Sequence, residues 1–266
     1  MTGRPVAVVI AAGPGVSGSL ARRFAREGYD LALVGREADV LHALAGELEA
    51  RGATVRYAVA DVTDAPALTA AITGMADELG RVDWLHFNPS AFRQKTPVDL
   101  TAEELLADVT DAPSLTAAIT GMADELGRVD WLHFNPSAFR QKTPVDLTAE
   151  ELLTDVHLGV GALLTALHAV RPYLRAGARV TATGSMAADK PWNEAASLGV
   201  QKAGLRNLIK SIDTTLEPDG VRAVSLTVRG TLGTDGPFTP DRVADAIWDA
   251  GHQDESAWQT EVPYTG

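Results

Sequence analysis

Apolar residues in this chain switch repeatedly between short unbroken runs and a three-to-four-residue spacing. Val6–Ala11 is a Val- and Ile-rich run, the pattern that a parallel strand buried on both faces requires. A glycine-rich turn follows, then a helix from about Ser19 to Glu27, ended by Gly28. Leu31–Val34 reads as a second strand, Ala38–Ala50 as an amphipathic helix with Val40, Leu41, Leu44 and Leu48 inward, and Thr54–Val59 as a third strand. Next come a helix over Pro66–Leu79, a strand over Val82–Phe87, a long helix from Thr148 to about Leu174, a strand over Ala178–Thr183 and a helix over Glu194–Leu216. A strand over Val221–Val228, a helix over Pro240–Ala250 capped by Thr239 and a short strand over Trp258–Val262 close the series. Strands alternating with helices at this spacing predict an α/β fold. The expectation is one Rossmann-type, doubly wound parallel sheet in a single domain over 1–266, with its ligand crevice at the carboxyl ends of the strands.

One stretch occurs twice. Ala60–Leu106 recurs at once as Ala107–Leu153, differing only at Ala67 against Ser114. Two near-identical units between unrelated flanks are not a solenoid, which needs about three or more diverged units to bury a core. The pattern is that of a tandem duplication, natural or introduced in cloning or assembly, carrying an additional helix–strand unit. One sheet offers one slot for the repeated strand, so the other copy is expected to be extruded, added at an edge or exchanged with a partner chain. An extruded copy would present Trp, Leu and Phe on an unpaired strand, an association hazard.

Composition narrows the function classes. The chain is 45% hydrophobic and 22% charged, ordinary for a globular domain. A net charge of −12 argues against a nucleic-acid partner, which clustered Lys and Arg would have to hold. With no cysteine, disulfides, thiol catalysis and thiolate metal sites are excluded. No His/Asp/Glu cluster has metal spacing, no signal-peptide pattern opens the chain, and no apolar run approaches the ~20 residues of a membrane span. A cytoplasmic protein with a small-molecule ligand is the expectation.

The candidate chemistry begins after the first strand, at Ala11-Ala12-Gly13-Pro14-Gly15-Val16-Ser17-Gly18. Gly13, Gly15 and Gly18 fit G-x-G-x-x-G, which lets backbone amides approach a pyrophosphate at a helix N-terminus. The segment resembles the T-G-x-x-x-G-x-G loop of short-chain dehydrogenases/reductases, and in that register Ala11, Gly15 and Ser17 hold the three glycine positions. The resemblance covers the chain apart from the additional copy. It implies a nucleotide cofactor, with Gly35 and Arg36 at the end of the second strand favouring NADP(H) over NAD: no carboxylate repels a 2′-phosphate and a guanidinium can grip it. It places Asp61 and Val62 at the adenine ring. Asp108-Val109 repeats that pair without a convincing strand before it. Asn88 and Asn135, in the two Phe-Asn-Pro-Ser segments, stand where the family has N-N-A-G.

The same resemblance puts Ser185 at the position of the family's carbonyl-polarising serine and Lys202 at that of its lysine, which also holds the nicotinamide ribose. The tyrosine position is Leu198, and leucine cannot move a proton. His157 occupies the asparagine position on the long helix and is the candidate replacement acid/base. These departures mark an atypical subgroup of the family. The expected activity is NADP(H)-dependent oxidoreduction of a carbonyl or alcohol by a non-standard proton relay. The alternatives are a non-redox nucleotide-sensing or partner-binding protein and a cofactor-independent cyclase, dehydratase or isomerase. The family also implies a homodimer or homotetramer through the helices around Thr148–Leu174 and Glu194–Leu216.

Overall fold

The apolar runs become strands and the amphipathic stretches become the helices between them. In a computed structural model, which describes residues 3–61, 64–79, 82–88 and 112–266, the N-terminal part consists of β1 (Val6–Ile10), α1 (Val16–Arg26), β2 (Asp30–Gly35), α2 (Ala38–Glu49) and β3 (Val55–Val59). The repeat supplies α3 (Ala65–Leu79) and β4 (Val82–Phe87), then α4 (Ala112–Leu126) and β5 (Val129–Phe134). The remainder is α5 (Ala149–Val156), α6 (Ala162–Val170), β6 (Leu174–Ser185), α7 (Ala196–Leu216), β7 (Arg222–Val228), α8 (Pro240–Gly251) and β8 (Glu261–Tyr264). The sheet order is β3-β2-β1-β4-β5-β6-β7-β8, parallel throughout.

The expectation of a single slot for the repeated strand is wrong. Both copies lie in the middle of the sheet, paired with each other in register: Trp84 with Trp131, Leu85 with Leu132, His86 with His133, Phe87 with Phe134. The physical reason is that each copy brings its own crossover helix. A complete helix–strand unit can join the middle of an open parallel sheet and add no further edge, whereas a closed barrel fixes its strand number. The aromatic and aliphatic residues feared as an exposed hazard are buried in both strands.

The two faces absorb the insertion differently. On one, α4 lies between α3 and α6, and a Cβ on Gly121 would stand 3.0 Å from the Thr69 methyl. Leu68, Ile72, Ile119, Leu163, Val170, Leu205 and Ile209 fill that side of the core with Leu85, Phe87, Leu132 and Phe134. The other face carries α1, α2 and α8. There Trp84, Trp131 and Trp248 stack over the widened sheet, with Trp84 and Trp248 5.4 Å apart and nearly parallel.

Two further expectations change. The segment Ala149–Tyr173 is long and apolar enough, by length and composition alone, to cross a bilayer. Its apolar side is packed on the sheet through Ala162, Leu163, Ala166 and Val170, and a π-helical turn at His157–Gly161 interrupts it. The last strand is Glu261–Tyr264 rather than Trp258–Val262. Trp258 lies before it, its indole donating to the Ala223 carbonyl and its ring beneath the guanidiniums of Arg179 and Arg222.

Candidate active site

The glycine loop forms an open cradle at the end of β1. A Cβ on Gly13 or Gly15 would meet nothing within 4 Å, so the loop presents bare backbone. Gly18 is glycine for a different reason: its Cβ would sit 2.4 Å from the Gly13 carbonyl oxygen. Gly15 caps α1 without a side-chain hydrogen bond, and the first turn carries no acid, leaving its amides to an anion. Ala11 adopts φ 58°, the left-handed conformation that glycine takes without strain.

At the end of β2, a Cβ on Gly35 would come 2.9 Å from the Ala12 carbonyl, so the loop's own packing excludes a side chain there. Arg36 beside it is exposed, and among the described residues no carboxylate pairs with it. Asp61 is exposed just beyond β3, while Val62 and the Asp108-Val109 pair lie outside the described residues. The cradle fits a diphosphate, and the Gly35–Arg36 corner fits a further phosphate.

Ser17, Asn88 and Asn135 are placed differently from the expectation. Ser17 is buried, and its hydroxyl accepts from the Asn88 carboxamide and lies 3.1 Å from His86 Nε2. Asn135 Nδ2 donates to Asn88 Oδ1 at 2.6 Å. These side chains therefore form a hydrogen-bonded bridge from α1 across β4 to β5.

Beyond that bridge lies a polar strip absent from the sequence-based site. His86 and His133 stack with ring centroids 5.1 Å apart. His133 Nδ1 is 2.6 Å from Thr181 Oγ1, and its Nε2 is 3.2 Å from Thr183 Oγ1. Burial lowers the His86 pKa to about 3 and holds His133 well below 6.5, with smaller contributions from His86 and Lys202. Both imidazoles are neutral at working pH. The signal was available: His86 and His133 follow Trp84 and Trp131 by two residues, on the same strand face.

Ser185 ends β6, and Lys202 is tied to the same strand two residues earlier, at Thr183. Lys202 is 6% exposed, and its ammonium donates to the Thr183 carbonyl at 2.9 Å. Desolvation brings its pKa down from 10.5 to about 8. The Ser185 hydroxyl accepts from the Ala187 amide at 3.2 Å and keeps its own proton to donate. Gln201 is fully buried and clamps the loop after β5, accepting from the Ala138 amide and donating to its carbonyl.

His157 is exposed at the start of the π-helical turn, its ring 3.6 Å from where a Cβ on Gly161 would stand.

Residues 5–107 match the family described as short chain dehydrogenase, and residues 90–255 match the family described as Enoyl-(Acyl carrier protein) reductase. The chain belongs to the short-chain dehydrogenase/reductase family. The two matched stretches overlap within the repeat. Among curated relatives of this short-chain dehydrogenase/reductase, 1-deoxy-11-beta-hydroxypentalenate dehydrogenase of Streptomyces exfoliatus is 39% identical over 77 residues, 29% of this chain and 28% of its own length. A hexahydroindene-carboxyl-CoA reductase of Mycobacterium tuberculosis is 33% identical over 105 residues, 39% of this chain and 40% of its own. The chain thus aligns with less than half the length of these relatives.

Likeness in fold extends further. A metagenomic short-chain oxidoreductase solved in complex with NADP superposes with TM-score 0.64 at 20% identity, covering 98% of both chains. A dehydrogenase/reductase from Sinorhizobium meliloti 1021 gives 0.66 at 19% identity, covering 98% of this chain and 93% of that one.

Proposed function

We propose that this chain is an NADP(H)-dependent oxidoreductase acting on a carbonyl or alcohol through a relay that does not use tyrosine. The observation that carries the reading is the open Gly13–Gly18 cradle beside the exposed Arg36. Gly13, Gly15 and Gly18 with the α1 amides would hold the diphosphate, Arg36 the 2′-phosphate and Asp61 the adenosine end. The family's solved members in complex with NADP support the choice of cofactor. When bound, NADPH supplies a hydride to a carbonyl carbon.

Ser185 donates a hydrogen bond to the substrate oxygen. Lys202, its ammonium held at the Thr183 carbonyl, is the titratable group at that strand end, and a pKa of about 8 suits an ammonium that delivers a proton near neutrality. Leu198, in the first turns of α7, contributes packing only. The substrate is a small molecule, the assembly a homodimer or homotetramer, and the location cytoplasmic.

A second reading keeps NADP(H) binding and drops hydride transfer. Leu198 favours it, as does the tie of Lys202 to the Thr183 carbonyl. NADPH oxidation followed across a panel of aldehydes and ketones separates the two. Carbonyl-dependent turnover that Ser185→Ala abolishes supports the oxidoreductase; bound NADPH with no turnover on any carbonyl supports the second reading.

A further inference from the structure

The repeat places one additional strand between the two halves of the site. The cradle lies at the end of β1 and Ser185 at the end of β6, with both β4 and β5 between them. In the doubly wound order, strand five follows strand four, so one intervening strand separates the first strand from the fifth. Each interstrand step spans about 4.8 Å. Ser185 and Lys202 are therefore about 5 Å further from the cradle than a single copy would put them. Hydride transfer slows across such a gap, since reacting atoms must come within about 3–3.5 Å.

The insertion leaves each half whole. On the cradle side, Ser17, His86 and Asn88 are joined by hydrogen bonds; on the other, Lys202, Thr183 and His133 are joined. What lies between is the Asn88–Asn135 pair, the same residue from each copy. We propose that the second copy acts as a spacer strand: the full chain holds NADP(H) mainly by its adenosine and phosphate end and engages the nicotinamide end weakly, and a chain with one copy brings that end fully onto Ser185 and Lys202. This rests on the NADP(H)-binding half of the proposed function and makes hydride transfer slower in the full chain than in the shorter one.

Removing 107–153 joins Leu106 to Thr154, the junction that Leu153 already makes, so excision creates no new sequence. Removing 60–106 yields the same chain apart from one Ala/Ser difference. The full chain is titrated with NADPH and with 2′-phospho-ADP-ribose, which lacks the nicotinamide. The expected result is affinities within about twofold in the full chain, and a preference for NADPH of tenfold or more in either excised chain. A tenfold preference for NADPH already in the full chain would overturn the spacer, even where the excised chains fail to fold.

A second readout does not depend on the cofactor. Glu37→Cys and Lys190→Cys give the chain its only two cysteines, at exposed positions beyond β2 and β6. Spin labels there should approach by about 5 Å, one interstrand step, on excision. An unchanged distance in a folded excised chain refutes the proposal. Failure of both ligands to bind any of the chains while the distance shortens would sink the NADP(H) reading and leave the spacer geometry standing.

Discussion

The indole rings of Trp84 and Trp131 stack 3.6 Å apart at 21°, and the two residues are the same position in the two copies of the repeat. The stack is a consequence of register. Identical parallel strands paired without offset place every side chain beside its own counterpart, as His86/His133 and Phe87/Phe134 also show. Trp248 extends the stack from α8, so the face with fewer helices is closed by aromatic area.

Close indoles couple their electronic transitions. A strong exciton couplet is expected in the circular dichroism spectrum. Trp84→Phe, at the centre of the stack, should cut it by at least half, and Trp258→Phe should leave it unchanged. A spectrum without the couplet would mean that β4 and β5 are not neighbours.

Gly251 ends α8 directly over this stack. A Cβ there would stand 1.8 Å from the Trp131 ring, too close for any rotamer adjustment to be small. Gly251→Ala should destabilise the chain by about 1–3 kcal/mol through overpacking, seen as a lower denaturation midpoint. If the substitution is neutral, Trp131 does not lie under α8.

Lys202 makes stability depend on alkaline pH in an uncommon direction. Its pKa is about 8 folded and 10.5 unfolded, so between these values the unfolded chain binds more protons. Stability from this group therefore rises as pH goes from about 8 to 10.5, a span corresponding to about 3 kcal/mol. Melting curves of wild type and Lys202→Met across that window should show the rise only in wild type. Parallel pH profiles would place the ammonium in solvent.

Ala11 sits in the left-handed region at φ 58°. That conformation costs a non-glycine residue about 1–2 kcal/mol, and replacement by glycine gives back about 0.4–1 kcal/mol through the unfolded chain. Ala11→Gly should then stabilise by up to about 1 kcal/mol in urea titration. A loss of stability would mean that the turn does not adopt this conformation.

Much of the fold was legible because the relevant signals are local. Val6–Ile10 is uniformly apolar and becomes a strand buried on both faces, and Thr239 before Pro240 caps α8, its side chain accepting from the Arg242 amide. The glycine cradle was legible for the same reason. The fate of the repeat was not: nothing local says whether a second identical strand will be excluded or admitted, since that depends on the sheet being open and on α4 finding room beside Thr69. The bonding of Asn88 to Asn135 required knowing that the two copies are adjacent.

The central claim is that the Gly13–Gly18 cradle and Arg36 hold a nucleotide bearing a 2′-phosphate. The most direct measurement is the melting temperature of the full chain in NADPH and in NADH at equal concentration. Selective binding to the native state raises stability by about 2.7 kcal/mol at a hundredfold excess over Kd. The account predicts a clear upward shift with NADPH and a much smaller one with NADH. Equal shifts would remove Arg36 from the site, and no shift with either would contradict the cradle as a nucleotide site altogether.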